Sequence, residues 1–166
     1  MNPHDIRPLL LLFALLGISS AIGQASDSSA LANQDLANAR ALLQAGRADI
    51  IRDELFMSEV ESASFWPVYE EYHAEIMVVR DRQTMIITEF LKGNRAGTLD
   101  NNYAEDFIKN NFEIRADLLK IQENYIRRFQ QVLPALKVAR FYQLESQMDA
   151  QVNARLAIFV PLIEVM

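Results

Sequence analysis

The sequence predicts an all-α protein, a four-helix antiparallel long hairpin that pairs into a dimer. Three observations point there. Glycine and proline number only five each in 166 residues, against 51% hydrophobic residues, which leaves room for long regular elements and few turns. A heptad of apolar residues runs unbroken in spacing from Phe65 to Phe90, and helix-start signals recur where helices need them. The length suits one domain.

The first element to justify is not part of the fold. Arg7 precedes an apolar run, Leu9 to Ile18, and small residues follow up to Gly23, Gln24 and Ala25. This is the order of a secretory signal, so residues 1–25 are expected to be removed after Ala25 and the product to be periplasmic. Ten apolar residues are too few to span a bilayer, and no later segment is long enough, so no transmembrane anchor is expected after cleavage. The remaining residues, 26–166, read as a single all-helical domain. Residues 26–33 are polar and small, a frayed lead.

Helix A follows from Leu31, Leu36, Ala39, Leu42 and Leu43 on one face, with Gly46 as its left-handed stop. A short turn through Ile50, Ile51 and Leu55 leads to Met57-Ser58-Glu59-Val60-Glu61, where Ser58 and Glu61 have the spacing of a capping box. Helix B then carries Phe65, Tyr69, Tyr72, Ile76, Val79, Gln83, Ile86 and Phe90 at alternating spacings of four and three. Lys92 and Gly93 are expected to close it, and Pro67 to kink it without breaking it. From Ser58 to Lys92 such a helix measures about 52 Å.

Asp100 or Asn102 starts helix C, the latter paired with Glu105 at capping-box spacing. Helix C has two apolar stripes: Phe107, Ile114, Leu118, Ile121, Tyr125 and Val132, and beside it Ile108, Phe112, Leu119, Ile126, Phe129 and Leu133. A face this broad needs more than one neighbour, and dimerisation is the simplest way to bury the excess. Pro134 suits the first position of helix D, which runs through Val138, Phe141, Met148, Val152, Leu156 and Phe159 to Pro161. The tail after it is apolar and suited to docking on the protein or a partner.

Charge orients the hairpin. Asp53 to Glu75 holds seven acidic residues and no Lys or Arg, whereas Arg115 to Arg140 holds six basic residues against Asp117 and Glu123. Antiparallel packing of B on C brings these stretches together. Each surface pair contributes about 0 to 1 kcal/mol, so they select direction more than they stabilise.

The residue inventory argues against an enzyme. Without cysteine there is no thiolate metal site or thiol nucleophile, and of two histidines His4 lies in the signal. Adjacent Glu70 and Glu71 point about 100° apart on a helix and do not make an acid–base pair. Glu70, His73 and Met77 are the one candidate soft-metal set, on successive helical turns; a di-iron bundle would need a second Glu-x-x-His and has none. Arg127, Arg128, Lys137 and Arg140, interleaved with Phe129, Phe141 and Tyr142, have a composition that can contact nucleic acid, but export and a net charge of −6 argue against it. No cofactor is expected.

The layout resembles the Spy/CpxP-like group of exported stress proteins and related periplasmic metal-sensor domains. Met57-Ser58-Glu59-Val60-Glu61 is similar to a degenerate copy of that group's Leu-Thr-x-x-Gln motif, and Leu133-Pro134-Ala135-Leu136-Lys137 stands where a second copy belongs. The segments Phe65 to Tyr72 and Phe141 to Leu162 resemble those of small secreted proteobacterial proteins near the group. The resemblance implies a cradle-shaped periplasmic homodimer that binds unfolded or partner proteins without ATP, as a chaperone or stress adaptor. Phe65, Trp66, Tyr69, Phe129, Phe141 and Tyr142 are the expected client or partner surface. The alternative it implies is a metal-responsive sensor domain using His73, Met77 and Glu70.

Overall fold

The computed structural model describes residues 46–163, all of them within the second of the two units into which the chain divides after Leu43. The expected signal, the frayed lead and the body of helix A lie outside the described residues. Those described are helical or in short connections, with no strand among them. Residues 46–54 form α1, followed by α2 (Glu59–Ala96), α3 (Asn101–Val132) and α4 (Ala135–Phe159). None of the described helices is long and apolar enough to cross a membrane.

Each helix starts and stops for a local reason. Ser58 caps α2 in a full capping box: its Oγ accepts from the Glu61 amide at 3.3 Å, and the Ser58 amide donates to the Glu61 carboxylate at 2.7 Å. α2 stays helical through Pro67 and does not end at Gly93 as the sequence suggested; Gly97, at φ +64°, is the left-handed terminus. Gly93 stays within the helix, where a Cβ would sit 2.6 Å from the movable end of the Leu99 side chain. Gly46 too is helical and lies within α1, not at a left-handed stop. Asp100 caps α3 by accepting from the Tyr103 amide at 2.8 Å, so the spacing of Asn102 and Glu105 goes unused. Pro134 stands one residue before α4, where its carbonyl accepts from the Lys137 and Val138 amides.

α2 and α3 run side by side in opposite directions: Phe65 meets Phe129, Tyr72 meets Tyr125, and Phe90 meets Phe107. The α2 seam supplies this contact, with Phe65, Tyr69, Tyr72, Ile76, Val79 and Phe90 all buried and Gln83 and Ile86 half-buried. On α3 the two stripes part company. The first turns inward through Ile114 and Tyr125, while Ile108, Phe112, Leu119 and Ile126 of the second stay exposed. Only Phe129 and Leu133, where α4 begins, bring that second stripe into the core.

The core is concentrated at the end where α2 starts. Phe129 and Phe141 lie 4.6 Å apart between ring centres, and Phe65 sits 5.5 Å from each. Tyr72 meets both edge-on, and Ile51 and Leu55 of the α1 segment close the cluster. Edge-to-face geometry of this kind adds about 0.5 to 1.5 kcal/mol per pair beyond burial. Of the charge pairs expected between α2 and α3, Arg128 bonds Glu71 at 2.5 Å; Lys137 and Arg140 lie on α4 and instead bond Glu61 of α2 and Glu54 of α1, each at 2.7 Å, and Arg82 reaches Asp117 with the charges reversed.

Candidate functional site

The aromatic residues expected to form a partner surface are mostly interior. Phe65, Phe129 and Phe141 are fully buried and Tyr69 nearly so. Trp66 and Tyr142 lie half-buried at the edge, with Trp66 Nε1 donating to Ser62 Oγ and the Tyr142 hydroxyl to the Gln122 carbonyl. The physical reason is that four helical segments converge where these rings sit, so the wide faces of α2 and α3 receive α1 and α4 instead of a client.

The candidate metal residues Glu70, His73 and Met77 all lie on α2. Glu70 is exposed, and the half-buried His73 ring stacks on Tyr69 at 5.6 Å. Burial and then the charge of Arg47 hold the His73 pKa below its usual value. Among the described residues no group of three or more His, Asp or Glu side chains is placed to hold a metal ion.

Sequence reading missed a partly buried ionic cluster joining α1, α2 and α4. The Arg47 guanidinium donates to Glu145 at 2.9 Å and to Asp149 at 2.8 Å. Arg80 holds the other Asp149 oxygen at 2.7 Å and donates to Gln83. The Tyr72 hydroxyl donates to Glu145 Oε2 at 3.3 Å. Two arginines thus face two carboxylates. Glu145 is 3% exposed, its Oε1 has no hydrogen-bond donor, and burial raises its pKa even though Arg47 opposes the shift. On Arg47 burial disfavours the charge, but Glu145 and Asp149 outweigh it and raise the pKa. A groove of about 560 Å³ opens beside this cluster between α2, α3 and α4, with Ile87, Phe107, Leu118 and Leu156 on its apolar side. Arg80 and Asp149 on its polar side are bonded to each other and offer no acid–base pair for catalysis.

The exposed apolar side chains lie elsewhere. Where α2 and α4 both begin, Phe56, Val60 and Leu136 are 71%, 77% and 86% exposed. They share one end because Lys137 bonds both the Phe56 carbonyl and Glu61, and Arg140 lies over the Phe56 ring at 5.4 Å. Phe56 has φ +48°, a left-handed backbone that a bulky aromatic adopts at a cost of about 1 to 2 kcal/mol. The Lys137 and Arg140 contacts hold it there, displaying a strained aromatic to solvent. Nothing in the local sequence announces it, since neither glycine nor asparagine marks the position. No protein-family model matches the chain, and neither does any curated protein or solved structure.

Proposed function

We propose that this chain is a non-enzymatic periplasmic protein of the Spy/CpxP-like kind, whose long helical hairpin binds unfolded or partner proteins without ATP as a homodimer. The observation that carries the reading is the apolar end formed by Phe56, Val60 and Leu136. Three large side chains stand in water beside a fully packed aromatic core, one of them on a strained backbone. Such strain persists where it serves a purpose other than folding.

The test is suppression of light scattering by an aggregating unfolded protein at stoichiometric amounts of the chain. Phe56→Ser, Val60→Ser and Leu136→Ser combined are expected to abolish suppression while leaving the helical signal intact. Lack of suppression by the unaltered chain across several unfolded clients, or full suppression by the triple variant, overturns the reading. Phe56→Gly separates folding from binding: it relieves the left-handed strain and is expected to stabilise the fold by about 1 kcal/mol while weakening client binding.

A further inference from the structure

The proposed homodimer leaves open which face pairs, and this inference rests on that reading. The outer face of α3 carries Phe112, Leu119 and Ile126 at spacings of seven, with Ile108 four residues before Phe112. All four are exposed, Phe112 at 65% and Leu119 at 55%. Among the described residues this stripe stays exposed, with Leu119 at the border of the groove beside α4, whereas Ile114 and Tyr125 of the parallel stripe are buried. A seven-residue apolar repeat drifts only about 20° per repeat around a helix, so the four side chains share one seam.

We infer that this seam is the face on which a second copy of the chain docks, with the two α3 helices antiparallel and the two-fold axis passing beside Leu119. Charge selects the partner and the direction. Arg115 and Glu123 lie four residues before and four residues after Leu119, both exposed, and neither has an ionic partner among the described residues. Two-fold pairing about Leu119 sets Arg115 of one copy against Glu123 of the other, twice, and lays Phe112 on Ile126. A parallel pairing would instead oppose like charges at both positions. Such self-complementarity is the requirement of an isologous interface, in which one patch must recognise itself. Arg115 already lies over the Phe112 ring at 5.8 Å, which places its charge at the rim of the seam.

The chain has no cysteine, so single substitutions report the geometry directly. Under mild oxidation Leu119→Cys is expected to give a disulfide-linked dimer in high yield, and Asn124→Cys, exposed on another face of α3, only a trace. A mixture of Phe112→Cys and Ile126→Cys chains is expected to cross-link to each other more than to themselves. In sedimentation equilibrium Arg115→Glu should raise the dimer dissociation constant by about tenfold, and Arg115→Glu with Glu123→Arg should restore it. These are solvent-exposed positions, and circular dichroism checks that the variants remain helical. A chain that stays monomeric at all concentrations overturns both the dimer and this interface. A dimer unaffected by Arg115→Glu and not captured through Leu119→Cys overturns the interface alone. Loss of client suppression by Arg115→Glu with the dimer unchanged reassigns the seam to client binding and also overturns it.

Discussion

The two ends of the helical unit are built to different standards. Where α2 begins, α1, α2, α3 and α4 all contribute side chains, and Phe65, Phe129 and Phe141 are fully buried. Toward the other end α2 and α3 meet through Phe90 and Phe107, 5.3 Å apart, while α4 leaves a groove between itself and the pair. Both ends use aromatic side chains on helices, so composition does not separate them. The difference comes from chain path: α1 is short and α4 starts beside the aromatic cluster, so both add their cover there. Local opening is therefore expected to begin at the groove end, where fewer apolar contacts must be broken.

The largest expected effect lies in the cluster. Phe129→Ala should cost about 3 to 5 kcal/mol in denaturant unfolding, because five rings pack directly on it, whereas Phe90→Ala should cost about 2 to 3 kcal/mol. Equal losses at the two sites would break the comparison. Next is the ionic cluster at the junction of the two ends. Arg47→Ala strands the Glu145 carboxylate in a buried position and should cost about 3 kcal/mol at neutral pH, and adding Glu145→Gln should recover most of it. Additive losses in thermal unfolding would show that the pair acts separately.

A smaller effect distinguishes the glycines at the groove end. Gly97→Ala forces a left-handed backbone and should cost about 1 kcal/mol. Gly93→Ala meets only the flexible end of Leu99, and the helix-forming gain of alanine offsets that contact, so its effect on the thermal midpoint should be near zero. The smallest effect is set by pH. His73 in the fold has a pKa below its ordinary 6.5, so between the two values the unfolded chain binds more protons. Stability contributed by neutral His73 is thus present above about 6.5 and is lost as pH falls through the folded value. Glu145 acts with opposite sign, since its raised pKa makes its contribution shrink as pH rises above its ordinary 4.5. His73→Asn should flatten the acid side of the thermal midpoint curve without altering the Glu145 slope, and an unchanged curve would remove His73 from the account.

Much of the fold was legible residue by residue. Ser58 and Glu61 cap α2 as their spacing demands, and the seam from Phe65 to Phe90 is the buried face, because capping and periodicity are local properties of a helix. The helix ends were less legible. Gly93 and Gly97 are both plausible stops, and the left-handed turn falls at Gly97 while Gly93 stays helical. The placement of the aromatic rings was less legible for a related reason: an apolar stripe reveals that a face needs cover but not which neighbour supplies it. Phe65, Phe129 and Phe141 cover one another, and Phe56, Val60 and Leu136 are left outside. The Arg47, Glu145 and Asp149 cluster was invisible because its members are about 100 residues apart in the chain.

By itself the sequence determined that this chain is helical and where α2 begins, and it narrowed the start of α3 to Asp100 or Asn102, since caps and heptads act over a few residues or along one face. Only the tertiary structure decided which stripe of α3 is buried, which aromatic rings meet, and that Phe56 stands strained at the surface. Those outcomes depend on where α1 and α4 settle. Four elements compete for two broad apolar faces, and the competition is resolved by packing and not by any single segment's preference.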